Sequence, residues 1–378
     1  MRIQTAGVIS LTPSNVNISI VGDIIVGNDA EYYFEHVKEE LATKDVLIGQ
    51  LEVPYSTEHP ESEELERDPV HLHSLVSTGF DVLSLAGNHL ADFGDRGIDD
   101  TISWLKNHNI SYVGAGPNLQ EARKPVVLER NETKIGILKY NCVGPKETWA
   151  APNKPGCAYV NILTHYELQH ANPGGPPSIY TRAEPTSLQL MKEDIKQLRS
   201  QCDILIVSFH KGLVHQPVKV ADYEKEVSYA AIDAGADLIV GEHAHLLKGL
   251  EIYKGKTIFH GLCNLVAYVP SLLPKPGQDQ EAWSNKRMEL FGFVPDLEYP
   301  TYPFHPEAIY TMIAKVKVKN REIVQTSFVP CIVNKKGQPV VVKQEDEGQK
   351  VFDYMATITQ KANLNARYRW EGNEIVVE

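Results

Sequence analysis

Apolar residues in this chain gather in short runs, and the polar residues between them fall at two different periods. Residues 17–22 (NISIVG) predict a buried strand ending at Asp23. Helical spacing follows over 29–42, and 46–51 reads as a second strand ending at Glu52. The acidic stretch STEHPESEELERDP reads as a loop. Residues 81–85 predict another strand, which runs into AGNHLADFGDRG, and 95–108 predict a helix ending near an Asn. SYVGAG reads as strand and turn, and 134–140 as a strand.

The second half repeats this rhythm. A helical pattern over 187–200 precedes a strong strand, 203–209, that ends at His210. A helix over 221–234 leads into ADLIVGEHAH. Residues 250–253 and 257–260 predict a hairpin around Lys254-Gly255. Strands follow over 310–318 and 323–329, then helical character over 344–361, and EIVVE closes the chain. Strands alternating with helices predict an α/β layered fold, with central β-sheets flanked by helices. The expected division is one domain over 1–331 and a C-terminal extension over 332–378. Two Pro-rich segments, 143–184 and 266–306, interrupt the rhythm. Each follows a predicted strand, where α/β sheets bind ligands, so each is expected to shape or cover a pocket.

Composition narrows the function. The 378 residues are 42% hydrophobic and 23% charged, which excludes a mainly disordered chain. Lys plus Arg number 37 against 49 Asp plus Glu, a net charge of -12. That balance argues against a dedicated nucleic-acid binder and lends no support to a polyanionic substrate. The five cysteines are widely spaced with no CxxC pair, so a disulfide scaffold or zinc ribbon is not expected. No secretory signal and no run long enough to span a bilayer are read, so a cytoplasmic protein without an integral membrane segment is expected.

The candidate chemistry lies at the strand ends. Asp23, Glu52, His89 and His210 each stand at or just past one, and His243 and His245 follow another. Oxygen and imidazole ligands collected on one sheet rim suit a divalent cation. Asn88 can offer an amide oxygen, which leaves His89 as an acid or phosphate donor. His71 and His73, in DPVHLH, are expected to face the cleft as substrate-binding residues.

The segments VGDIIVG, QLEVP, GFDVLSLAGNHLADFGDRGIDDTISWL, YVGAG, SFHKG and GADLIVGEHAHLLKGLEIYKGKTIFHGLCNL resemble the motifs of the CapA family. That family is named for poly-γ-glutamate capsule synthesis and is similar to calcineurin-like metallophosphoesterases. The resemblance implies one metal on Glu52, Asn88, His210 and His243, and another on Asp23, Glu52 and His245. Ile25 stands where that superfamily usually has a histidine, so the first-motif site lacks a ligand. The family's usual Ser-Leu-Gly-Asn reads Gly261-Leu262-Cys263-Asn264 here. Cys263 then becomes a candidate ligand, acid/base or small buried residue, and Asn264 a candidate substrate contact.

The expected cofactor is one or two divalent ions, with Mn, Zn, Fe, Mg and Ca not distinguished. The expected activity is metal-dependent hydrolysis of a phosphoester, or of a polyglutamate or peptide substrate. Two alternatives stand beside it: a metal-assisted peptide epimerase, and a non-catalytic polymer-binding protein with a degenerate site. The sequence does not give the oligomeric state.

Overall fold

The computed structural model describes residues 14–57, 67–167 and 177–378. Most of the predicted acidic loop and part of the first Pro-rich segment, at 58–66 and 168–176, lie outside the described residues.

Strand periodicity explains the layers. In Thr133–Asn141, Ile204–Lys211 and Leu238–His243, successive side chains point to opposite faces. Ile135, Ile137, Ile204, Ile206, Leu238 and Val240 join one buried core with Ile18, Ile20, Leu47 and Val82 of a second sheet. Their chain neighbours Leu138, Leu205, Val207, Phe209 and Ile239 pack instead with Met191, Ile195, Leu198, Val227 and Ala231. The latter lie on helices Pro185–Arg199 and Asp222–Ala234. These strands are buried on both faces, which is why they read as continuous apolar runs rather than alternating ones.

The larger sheet has ten strands. Asn15–Ile25 runs parallel to Val46–Leu51, which pairs in parallel with Val82–Ser84, and that in turn with Ser111–Val113. On its other side Asn15–Ile25 meets Tyr310–Lys319 antiparallel and Asn264–Ala267 parallel. The C-terminal strand Glu374–Val377 pairs with Glu322–Val333, so the end of the chain is hydrogen-bonded into this sheet. The smaller sheet has six strands, with Thr133–Asn141, Ile204–Lys211, Leu238–His243 and Lys256–Phe259 parallel in that order. The carboxyl ends of both parallel sets are therefore available to build a site.

One expectation needs correction. The 29–42 stretch is not one helix: it forms a 3-10 turn over Ala30–Phe34 and a short helix over Lys38–Leu41. The Pro-rich segments carry elements of their own. The first carries strands Ile162–Glu167 and Ser178–Ala183, and Trp149 stacks on Tyr159 at 4.2 Å. The second carries a helix, Gln280–Phe291, capped by Asp279, whose side chain accepts from the Glu281 and Ala282 amides. Among the described residues no helix is long and apolar enough to cross a membrane.

Candidate metal centre

Asp23 lies inside the first strand rather than beyond it. The pairing register slips there on both sides, between Asp23 and Ile24 and between Ile20 and Asp23. A β-bulge of this kind re-aims a side chain. Gly22 makes the approach possible, since a Cβ there would lie 1.9 Å from the Cys263 carbonyl oxygen. The Asp23 amide donates to that same carbonyl at 3.1 Å. Glu52 follows Val46–Leu51, and its amide donates to Ile24 O at 3.2 Å. Asn88 and His89 sit in the turn after Val82–Ser84, and His210 near the end of Ile204–Lys211. His243 and His245 both have left-handed backbone, φ 95° and 51°.

The structure brings six of the sequence-selected residues together. Ligand atoms of Asp23, Glu52 and His245 all lie within 4.8 Å of one another. His245 Nε2 is 3.4 Å from Glu52 Oε1, and His245 Nδ1 is 3.7 Å from Asp23 Oδ2. Asn88 Oδ1 is 2.7 Å from His210 Nε2 and 3.1 Å from His243 Nδ1. His210 Nδ1 and Asp23 Oδ1, 3.9 Å apart, join the two groups. The His243 amide donates to Asp23 Oδ2 at 3.0 Å.

The electrostatics are those of a site short of positive charge. Asp23 Oδ1, both Glu52 carboxylate oxygens and His210 Nδ1 are buried with no hydrogen-bond partner among the described residues. Each such atom costs about 1–3 kcal/mol if nothing else satisfies it. Burial, then the Glu52 charge, pushes the Asp23 carboxyl well up. Burial pushes Glu52 up to about 7. Burial, then neighbouring cationic groups, pushes His210 well down and His243 down to about 3. Burial also lowers His245, against the pull of Asp23. Carboxylates that resist ionising beside imidazoles that resist protonation fit a bound divalent cation, which stabilises both the anionic and the neutral ligand forms.

The remaining predicted residues fall elsewhere or act differently. His89 is partly exposed and holds Asp92 Oδ2 at 2.7 Å through Nδ1. Burial opposes its protonation, but the Asp92 hydrogen bond and the Glu52 charge raise it to about 9. Cys263 is a buried residue. Its thiol is buried, donates to Ala308 O at 3.4 Å, and is pushed by burial up to about 12. Asn264 is a partner of His245. It is fully buried, with Oδ1 2.7 Å from His245 Nδ1 and Nδ2 donating to the Tyr302 hydroxyl at 3.0 Å. His71 and His73 are not brought to the cluster. They line a groove of about 510 Å³ with Asp29, Tyr32 and Ser74, and the His73 ring meets Trp104 at 5.4 Å and His108 at 5.1 Å. Ile25 belongs to the apolar core.

The sequence reading passed over several residues. Tyr302 and Phe304 come from the second Pro-rich segment, and Phe304 lies 5.0 Å from the His245 ring. His215 lies 5.6 Å from that ring. It stands in SFHKGLVHQP, where a second imidazole in the same loop was the available signal. Beneath the site Lys139, Ser208 and Glu242 form a buried triad: Lys139 pairs with Glu242, and Ser208 donates to Glu242 Oε1 at 2.6 Å. The apolar runs around Lys139 and Ser208 hid them as ordinary strand residues.

Comparison with known proteins adds the following. A family model described as a bacterial capsule synthesis protein, PGA_cap, matches residues 14–269. The capsule biosynthesis protein CapA of Bacillus anthracis is 28% identical over 268 residues, covering 66% of this chain and 59% of that protein. The PGA biosynthesis protein CapA of Bacillus subtilis is 27% identical over 280 residues, covering 70% of this chain and 67% of that protein. The chain thus spans 59% of the length of the Bacillus anthracis relative. Among solved structures, a novel phosphatase of Mycoplasma pneumoniae aligns with TM-score 0.45 and 16% identity, over 85% of this chain and 95% of that one. A calcineurin-like phosphoesterase of Bacillus subtilis aligns with TM-score 0.37 and 13% identity, over 93% and 98%.

Proposed function

The chain belongs to the bacterial capsule synthesis protein family, and on that premise we propose that it is a divalent-metal-dependent hydrolase. Its substrate is a phosphoester, or an amide of a glutamyl or peptide polymer. The observation that carries this reading is the set of four buried, unpartnered ligand atoms on Asp23, Glu52 and His210. The relatives named for capsule and PGA biosynthesis support the glutamyl arm.

Asp23, Glu52 and His245 would hold one ion, and Asn88, His210 and His243 would hold a second. A divalent ion there supplies positive charge that polarises a phosphoryl or carbonyl oxygen and lowers the pKa of water. The chain's own residues do the rest. Asp23 is locked by the His243 amide, so its second oxygen stays turned to the cluster. His89, next to Asn88 and kept protonated by Asp92, carries the proton for the leaving group. The aromatic wall of Phe304 beside His245 keeps that flank dry. Ile25 motivates a binding-only reading, but the other six residues remain assembled, and that favours turnover.

The test is a hydrolysis panel of phosphoesters and glutamyl polymers, run with Mn²⁺, Zn²⁺, Fe²⁺, Mg²⁺ and Ca²⁺ in turn. Turnover that depends on the ion and disappears in Glu52→Ala is expected. Metal binding without turnover on any substrate would replace the hydrolase reading with the binding-only one.

A further inference from the structure

We propose that His215 is a substrate-contacting residue of this centre, placed to hydrogen-bond an anionic oxygen of the ligand on the His245 side; this rests on the metal-centre reading above. Its position is built rather than incidental. The His215 amide donates at 3.0 Å to the carbonyl of Ala244, the residue between His243 and His245. Its φ is 54°, a left-handed conformation that costs a non-glycine residue about 1–2 kcal/mol. Strain of this kind persists where surrounding contacts enforce it, and it gathers at functional sites.

The surroundings of the ring leave its Nδ1 unserved. Phe293 meets it edge-on at 4.9 Å, Phe291 at 5.8 Å and Phe304 at 6.0 Å. None of these rings carries a hydrogen-bonding group. His215 Nδ1 is buried and has no partner. The residue as a whole is only partly buried, so part of it stays open although Nδ1 itself does not. A ring that served only to fill space would do so better as a fourth phenylalanine.

The local charge selects the kind of ligand. The groups whose charge reaches His215 are His245, His305, His243 and Arg287. Arg287 stands over Phe291, with its guanidinium carbon 5.5 Å from the ring centre. Burial lowers the three imidazoles, so Arg287 is the positive charge on this flank, and the net charge of -12 does not describe it. A guanidinium on an aromatic flank beside a cation favours an anion. A neutral imidazole offers such a ligand one N–H and one lone pair.

The experiment compares Mn²⁺-loaded wild type with His215→Phe and His215→Asn. It measures metal content, melting temperature, and calorimetric binding of inorganic phosphate and of a short γ-linked glutamyl peptide. Metal content and melting temperature are expected to match wild type in at least His215→Asn. Affinity for one or both probes is expected to fall at least about tenfold in His215→Phe, and less in His215→Asn. The arm that weakens tells a phosphoryl from a carboxylate oxygen. Unchanged affinity for both probes would overturn the proposal. So would metal loss in both variants at unchanged melting temperature, which would make His215 a ligand, and so would a loaded wild type that binds neither probe. Absence of metal from wild type would instead remove the underlying reading.

Discussion

His245 Nδ1 lies 2.7 Å from Asn264 Oδ1, and this contact fixes which nitrogen of His245 faces the cluster. The direction follows from a chain of partners. The Ala308 carbonyl can only accept, so the Tyr302 hydroxyl gives it its proton, at 2.8 Å. Tyr302 must then accept from Asn264 Nδ2, at 3.0 Å. That turns the Asn264 oxygen to His245, which donates from Nδ1 and presents the Nε2 lone pair to Glu52, 3.4 Å away. Two electron-rich atoms facing each other without a proton between them is the arrangement a cation completes.

Tyr302→Phe removes the hydroxyl that begins this chain. Asn264 is then free to turn, and the His245 tautomer is no longer set. Loss of such an outer partner is expected to weaken metal affinity about 10–100-fold. A chelator competition gives the affinity, and nitrogen NMR of His245 in the metal-free protein gives the tautomer. Unchanged affinity and tautomer would show that Tyr302 only packs.

Glu52→Gln is expected to stabilise the metal-free protein at pH 8. The folded-state pKa of Glu52, about 7, lies above its ordinary 4.5. Its contribution is therefore favourable at low pH and is lost as pH rises through 7. At pH 8 the buried carboxylate is charged and uncompensated, and the amide relieves this by roughly 2–3 kcal/mol. Near pH 5 the gain should nearly vanish. Urea unfolding at the two pH values, with chelator present, checks the difference.

A second pH dependence lies away from the centre. His260 is fully buried, with Nδ1 3.0 Å from Lys211 Nζ and Nε2 3.0 Å from Glu251 Oε2. Burial, then Lys211, holds it down to about 4 against an ordinary 6.5. Its contribution is thus full above 6.5 and is lost as pH falls through 4. His260→Asn should flatten the acid loss of stability by roughly 2–3 kcal/mol between pH 7 and pH 4, whatever its cost at neutral pH. Thermal melts across that range give the slope.

Six ligand-type residues were legible because the chain announces them the same way, each at the close of an apolar run. Asp23, Glu52, Asn88, His210, His243 and His245 converge because two sets of parallel strands end on one rim. What the runs hid was local geometry. The bulge that re-aims Asp23 inside its strand leaves no mark on the apolar pattern. His73 was expected at the cleft as a substrate contact, but its ring is taken by Trp104 and His108, which lie some thirty positions on. Helix Gln280–Phe291 buries only Trp283, so it shows no apolar stripe, and only the Asp279 cap signalled it. Asn264 was read for its place in a motif, whereas its role depends on Tyr302, a distant residue in a segment read as loop.

His89→Gln tests the proton carrier. Asp92 Oδ2, 2.7 Å from His89 Nδ1, holds a proton on the ring. On any substrate that the panel identifies, turnover should fall about 10²–10⁴-fold while metal content stays at the wild-type level. Asp92→Asn lowers the His89 pKa, so the alkaline limb of the rate profile should move to lower pH. A profile that does not move would remove His89 from that role.

The most direct measurement is the metal content of the purified protein by elemental analysis, for wild type, Glu52→Ala and His245→Ala. Wild type should carry about one or two equivalents of a divalent metal, and both variants should lose most of it while remaining folded. Wild type that holds no metal, even after reconstitution, would contradict the account at its centre.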